Sequence, residues 1–208
     1  MSSDDSDIER IKEFASRHGH RVVYGLFALL IAAGGGYFYW RYQARQVAYA
    51  AGLYNEMLGA TMQHRYGLAT VAGTKLEKHY ASTPYAGLGA LLLARVANDQ
   101  NKVPEAMAAL RFAAHHGRPH VVQTVARLRL AALLVAAGHP RQAYHWTRIG
   151  RQPGFQGQVL ALRGQILAAE HHLHQAAQAY TRAIALTSKK SPMRQLLELE
   201  RAQLAVAS

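Results

Sequence analysis

The feature that most constrains this chain is a gap in its charge. Nineteen consecutive residues between Arg21 and Arg41, VVYGLFALLIAAGGGYFYW, carry no charged side chain. At ~1.5 Å per residue a helix over them spans roughly 28 Å, close to the hydrocarbon thickness of a bilayer. The stretch leaves through Tyr37, Phe38, Tyr39, Trp40 and Tyr42, with Arg41 among them. Amphipathic rings settle at the headgroup level, so this cluster reads as an interfacial belt. The pattern predicts a transmembrane anchor over 22–40. A buried core helix is the first alternative, but soluble helices rarely run so long without a charge. A cleaved signal peptide is the second. Its apolar region is shorter and closely followed by small residues, whereas the nearest such pattern here, Ala48-Tyr49-Ala50, lies well beyond the stretch.

Orientation follows from Lys and Arg near the two ends. Arg10, Lys12, Arg17 and Arg21 precede the stretch, and Arg41 and Arg45 follow it within the next twenty residues. This bias keeps residues 1–21 as a cytoplasmic tail and sends 41–208 across the membrane. The translocated part holds 20 Lys+Arg against 7 Asp+Glu, so it carries all of the net positive charge. Across a bacterial inner membrane, anionic lipid headgroups and acidic polypeptides are the expected partners, and nucleic acid is not. The chain has no cysteine, which removes disulfides, thiolate metal sites and a Cys nucleophile.

Residues 41–208 are rich in Ala, Leu, Arg and Gln and show no sustained alternation of apolar and polar residues, so helices are expected throughout. Turn signals divide them, among them Ser82-Thr83-Pro84, Lys102-Val103-Pro104, Gly138-His139-Pro140 and Ser191-Pro192. Small residues recur at fixed offsets. Ala94, Ala106 and Ala113 are 12 and 7 apart, as are Ala131, Ala143 and Gly150, and Gly164, Ala176 and Ala183. In helical hairpins such positions mark close crossings. Asn101 and Gly138 suit the left-handed turn between the paired helices, whereas His171 departs from that pattern. The spacing resembles the tetratricopeptide repeat, with units over roughly 84–117, 121–151 and 155–188. The expected fold is all-α: one N-terminal transmembrane helix, then a tetratricopeptide-like α-solenoid of helical hairpins.

A narrower resemblance covers nearly the whole length. The mixed-charge tail, the anchor ending in an aromatic-Arg cluster, and the segments RQVAYAAGLYNEML, HYASTPYAGLGALLLARVA and GFQGQVLALRGQILAAEHHLHQAAQAYTRAI resemble the YfgM family of ancillary Sec translocon subunits. The resemblance implies a single-pass inner-membrane protein with a cytoplasmic N-terminus and a periplasmic repeat domain. It also implies partnership with the SecYEG translocon and with a membrane-anchored periplasmic prolyl-isomerase-type chaperone. It carries no catalytic motif.

The residues themselves agree with a non-enzyme that uses no cofactor. There is no HExxH, P-loop, strand-linked GxGxxG or GxSxG. His171, His172 and His174 cluster at one turn, and His115, His116 and His120 at another. Three imidazoles are the ligand type for Zn²⁺ or Ni²⁺, but adjacent helical residues diverge by ~100°, which favours exposed histidines without metal. Ala28, Ala32 and Gly36 form a small-xxx-small stripe, a candidate packing face in the membrane. On the inner helices, offsets of −3, +1 and +4 from the small residue point toward the concave surface. They place Leu91, Arg95, Asn98, Leu128, Ala132, Val135 and Gln165 along a mostly apolar groove. Such a groove suits a helix or an emerging secretory chain. Equally, the helices over 42–65 and 68–80, or the last helix over 191–205, cover it as ordinary core. The expected function is a scaffold or chaperone adaptor at the periplasmic side of the Sec translocon. The alternative is a tetratricopeptide adaptor of another cell-envelope assembly.

Overall fold

The computed structural model describes the backbone of residues 4–150 and 152–207, and the side chains of 24, 27–150 and 152–204. Among the described residues the chain forms nine α-helices and one short 3-10 turn. They are α1 (Asp4–Met62), α2 (Tyr66–His79), α3 (Pro84–Asp99), α4 (Val103–His116), α5 (His120–Ala136), α6 (Pro140–Trp146), α7 (Gln156–Ala169), α8 (Leu173–Leu186) and α9 (Pro192–Ala207). Pro153–Phe155 forms the 3-10 turn. Proline opens α3, α6 and α9, where its missing N–H leaves no helical bond unmade.

The fold divides into two compact units, residues up to Gln46 and residues from Val47 onward. In the first, α1 carries Phe27, Leu29, Leu30, Ile31, Phe38 and Trp40 fully outward, each between 64% and 73% exposed. Among the described residues no helix is long and apolar enough to cross a membrane. The side chains of Val22, Val23 and Leu26, part of the charge-free interval, lie outside the described residues, as do those of the tail over 1–21.

The second unit is a run of helical hairpins. Consecutive helices pack together from α2 through α9, α6 and α7 included, and α5 also packs on α7. The connections follow one backbone recipe. His64, Asn101, Gly138 and His171 all have positive φ, at 55, 59, 78 and 62°. In each case the next residue's N–H closes a bond to the carbonyl five residues back: Arg65 to Ala60, Lys102 to Ala97, His139 to Leu134 and His172 to Leu167, at 2.8–2.9 Å. This is the left-handed helix end that leaves few carbonyls unsatisfied. His171 therefore keeps the turn despite its residue type, since histidine, like asparagine, enters the left-handed region more readily than most side chains.

His64 reveals a hairpin that the small-residue pattern does not contain. It lies seven residues after Met57, with Ala69 and Leu76 at the remaining offsets of 12 and 7. Met57 and Leu76 are large, so the repeat is invisible to a search for small residues, yet both are fully buried with Ala50, Ala60, Ala69, Ala72 and Val96. The end of α1 with α2 is thus the first of four hairpins, followed by α3–α4, α5–α6 and α7–α8.

The crossings of the last hairpins are tight where the sequence places small residues. Ala106, Ala113, Ala131, Ala143, Ala176 and Ala183 have no exposed surface. Gly150 is the exception: α6 ends at Trp146, and Gly150 is exposed with nothing near the place a Cβ would occupy. Thr147 stops the helix. Its hydroxyl donates to Tyr144 O at 2.8 Å, and Arg163 Nε donates back to that hydroxyl at 3.2 Å. A polar residue here recruits a cation instead of continuing an apolar helix.

Candidate interaction groove

The inner helices α3, α5 and α7 turn their small residues toward α4, α6 and α8, which leaves the opposite faces free to line a surface. Two hollows occur there. One, of about 580 Å³, is lined by Leu91, Arg95 and Asn98 from α3 and by Arg129, Ala132 and Ala136 from α5. The second, of about 500 Å³, takes in Leu128 from α5, Gln158 and Gln165 from α7, and Met193, Leu196 and Glu200 from α9. Arg129 and Ala132 line both, so the hollows adjoin across α5.

Six of the seven expected lining residues, Leu91, Arg95, Asn98, Leu128, Ala132 and Gln165, are brought together here. Val135 is not. It is half-buried against the core of Leu130, Leu134 and Ile166, and Ala136 lines the groove instead. A valine gains more by leaving water than the neighbouring alanine does, so the end of α5 turns it inward. No residue of α1 or α2 lines either hollow, so the groove is not covered from that side. At the other end α9 closes it. Leu197, 1% exposed, packs with Tyr180, Ala183 and Ile184, and Gln165 Nε2 donates to Glu200 Oε1 at 3.2 Å. Gln165 is a wall held by α9, not an open hydrogen-bonding group.

The electrostatics of the groove centre on Arg129, which sequence reasoning missed because it lies two residues before the small Ala131, outside the offsets used. Its side chain is exposed and makes no ion pair among the described residues. Arg95 is paired with Asp99 at 3.9 Å, both exposed, a contact of little energetic weight. At the closed end, burial first and the Glu200 carboxylate second push the Tyr180 phenol up, so it stays neutral and acts as a hydrogen-bonding group. The open part of the groove is thus apolar with cationic groups at its centre.

His115, His116 and His120 line one hollow, but each ring is engaged with a different neighbour or faces solvent. His115 stands edge-on to Trp146 at 5.8 Å, His116 lies over Phe112 at 4.8 Å, and His120 Nδ1 meets Gln123 at 3.2 Å. His174 meets Gln178 at 3.0 Å. Among the described residues no group of three His, Asp or Glu is arranged to hold a metal ion. Ala28, Ala32 and Gly36 lie four residues apart on α1, all exposed, and among the described residues nothing beyond the adjoining turns of α1 stands within 4 Å of a Cβ built on Gly36.

Helical hairpins at this period, the shared turn and the groove along the inner helices agree with a comparison to family models. Residues 12–206 match the tetratricopeptide repeat-like domain. The chain belongs to that family. Tetratricopeptide-like domains mediate protein–protein interactions and are typically scaffolds, not catalysts. No curated protein sequence matches the chain. The tetratricopeptide-like stack thus extends one hairpin further toward the N-terminus than the three units visible in the sequence.

Proposed function

We propose that this protein is a membrane-anchored, non-enzymatic adaptor that holds a helical or extended segment of a partner in the groove over α3, α5 and α7. The observation that carries the reading is that the two hollows adjoin at Arg129 and Ala132 along the inner helices. An apolar floor with an unpaired arginine suits an amphipathic segment with acidic residues beside its apolar anchors. The site of action follows from the resemblance to YfgM proteins: the periplasmic side of the Sec translocon, beside SecYEG and a membrane-anchored prolyl-isomerase-type chaperone.

The charge-free stretch over 22–40 supports the anchor. So do the apolar side chains that α1 exposes around its circumference, because a helix apolar on every side is not stable in water. Placing Lys at Ala32 should cost on the order of 2.5–3.5 kcal/mol of insertion and move the protein out of the membrane fraction.

Photo-crosslinkers at Ala132 and Arg95 in living cells test the partner. Crosslinks to translocon subunits, to the chaperone or to emerging secretory chains support the reading. Crosslinks confined to another envelope assembly assign the same groove to a different complex. Crosslinks only from exposed positions outside the groove remove it as the contact. Arg129→Glu should reverse the electrostatic preference and lower the groove crosslinks.

A further inference from the structure

Residues 41–208 hold seven carboxylates amid a large excess of cations. Asp99, Glu170 and Glu198 are paired with Arg95, Arg141 and Arg194, and Glu200 accepts from Gln165. Glu56, Glu77 and Glu105 make no ion pair among the described residues, although cations outnumber acids nearly three to one; Glu56 stands exposed on α1, away from the other two. Glu77 and Glu105 line a single cleft of about 410 Å³ between α2, α3 and α4. Its apolar walls are Leu93, Val96, Ala97, Ala108 and Ala109. The cleft shares no lining residue with the groove.

Glu77 Oε1 is shut off from solvent and has no hydrogen-bond partner. A buried acceptor without a donor is among the costlier defects a fold tolerates, and native structures keep few of them. Burial pushes the Glu77 carboxyl up to about 6, so it is charged at neutral pH and lacks a counter-ion. Two carboxylates beside an apolar wall fit an elongated organic cation: charge at one end, methylene groups along the other. A bare metal ion is a poor match, since it needs more oxygen ligands and no hydrocarbon contact. Lys102 also lines the cleft, but its side chain is exposed and pairs with neither carboxylate.

We infer that the cleft between α2, α3 and α4 is a binding site for a lysine or arginine side chain of a partner protein, its cationic head between Glu77 and Glu105 and its stem along Leu93 and Val96. The inference rests on the interaction role of the domain but not on the groove. It gives the protein a second contact surface of opposite charge preference: acidic segments at the inner helices, a basic side chain between the first two hairpins.

The test is an amide-resonance titration of the isotope-labelled full chain in detergent. Three probes are compared: N-acetyl-lysine methylamide, its neutral norleucine analogue, and putrescine. The lysine probe should shift the Thr74, Glu77 and Glu105 amides at about tenfold lower concentration than the norleucine probe, the difference made by the charge-assisted contacts. Glu77→Gln should abolish that preference, with helical circular dichroism confirming the fold; Glu105→Gln, at an exposed position, provides the same test should the first variant misfold. Lys102→Met should leave or strengthen binding. Equal binding of the lysine and norleucine probes, or an undiminished lysine preference in both glutamine variants, overturns the site. Tighter binding of putrescine than of the lysine probe overturns the protein side chain as ligand in favour of a free amine. Loss of binding in Lys102→Met overturns the assignment of the carboxylates. Groove crosslinks from Ala132 should be unchanged by Glu77→Gln, which keeps failure of this site distinct from failure of the groove.

Discussion

Gly164 and Tyr180 meet so closely across α7 and α8 that a Cβ on the glycine would stand 2.8 Å from the tyrosine ring. The ring is 3% exposed and anchored in the cluster that seats α9, so it has little freedom to withdraw. Gly164→Ala should therefore destabilise the domain despite the better helix propensity of alanine, by about 1–3 kcal/mol. Ala176→Leu, at a position with no exposed surface, should behave alike. Urea unfolding followed by circular dichroism measures both, and a midpoint equal to that of the wild type would contradict the assigned crossing.

The turns make a prediction of opposite sign in two hairpins. His171 holds φ of 62° with a side chain, and Gly138 holds 78° without one. The left-handed region costs a side chain roughly 1–2 kcal/mol. His171→Gly should stabilise the domain and Gly138→Ala should destabilise it, each by roughly 1–2 kcal/mol before the entropy of the glycine is counted, with the melting temperature moving up in the first and down in the second. Both changes lie on exposed loops, so packing contributes little.

Protonation of Glu77 sets a pH dependence. Its carboxyl is raised by burial from 4.5 to about 6, so the folded chain holds this proton more tightly than the unfolded chain does. The resulting stabilisation is complete below pH 4.5 and is lost as pH rises through about 6. Other groups titrate nearby, so the comparison is with Glu77→Gln. The variant should match the wild type at acidic pH, pull ahead between pH 4.5 and 6, and keep a constant lead above. Thermal denaturation across this window gives the answer, and two parallel curves would refute it.

The seat of α9 depends on Arg194. Its Nη1 donates to Ile184 O at 2.9 Å and Thr187 O at 3.3 Å, and its Nε pairs with Glu198 at 3.0 Å. These bonds satisfy carbonyls at the end of α8 while seating Leu197 of α9 against Tyr180, Ala183 and Ile184. Arg194→Ala leaves Thr187 O without its donor and Ile184 O with only the Thr187 N–H, at 3.1 Å, at a cost of about 1–3 kcal/mol. Limited proteolysis should then cut α9 earlier than in the wild type, and the closed end of the groove should open.

Much of the second unit was legible because helix crossings demand small side chains and turns demand special backbones. The offsets of Ala94, Ala106 and Ala113 located α3 and α4, and those of Gly164, Ala176 and Ala183 located α7 and α8, to within a few residues. The two helices of the first hairpin were read over 42–65 and 68–80, but their place in the repeat was hidden because Met57 and Leu76 put large side chains at the small-residue offsets, and the backbone at His64 reveals it. Gly150 misled for the converse reason: a small residue at the right offset means nothing once Thr147 has ended the helix. Offsets on an ideal helix found most of the groove, but not the inward turn of Val135 or the central place of Arg129. Both depend on which neighbour each side chain meets, and that information lies in no single helix.

The early end of α6 has a consequence for how the stack comes apart. At seven residues it is half the length of α4 and α8, so it offers its neighbours half the lateral surface. In a linear array each unit is held by its own hairpin and by the seams on either side. A narrowed seam is where a spreading unfolding front meets least resistance to separation. The α7–α9 segment, with its own core around Tyr180 and Leu197, is thereby set up to open and close as a smaller cooperative block while the hairpins before it stay folded.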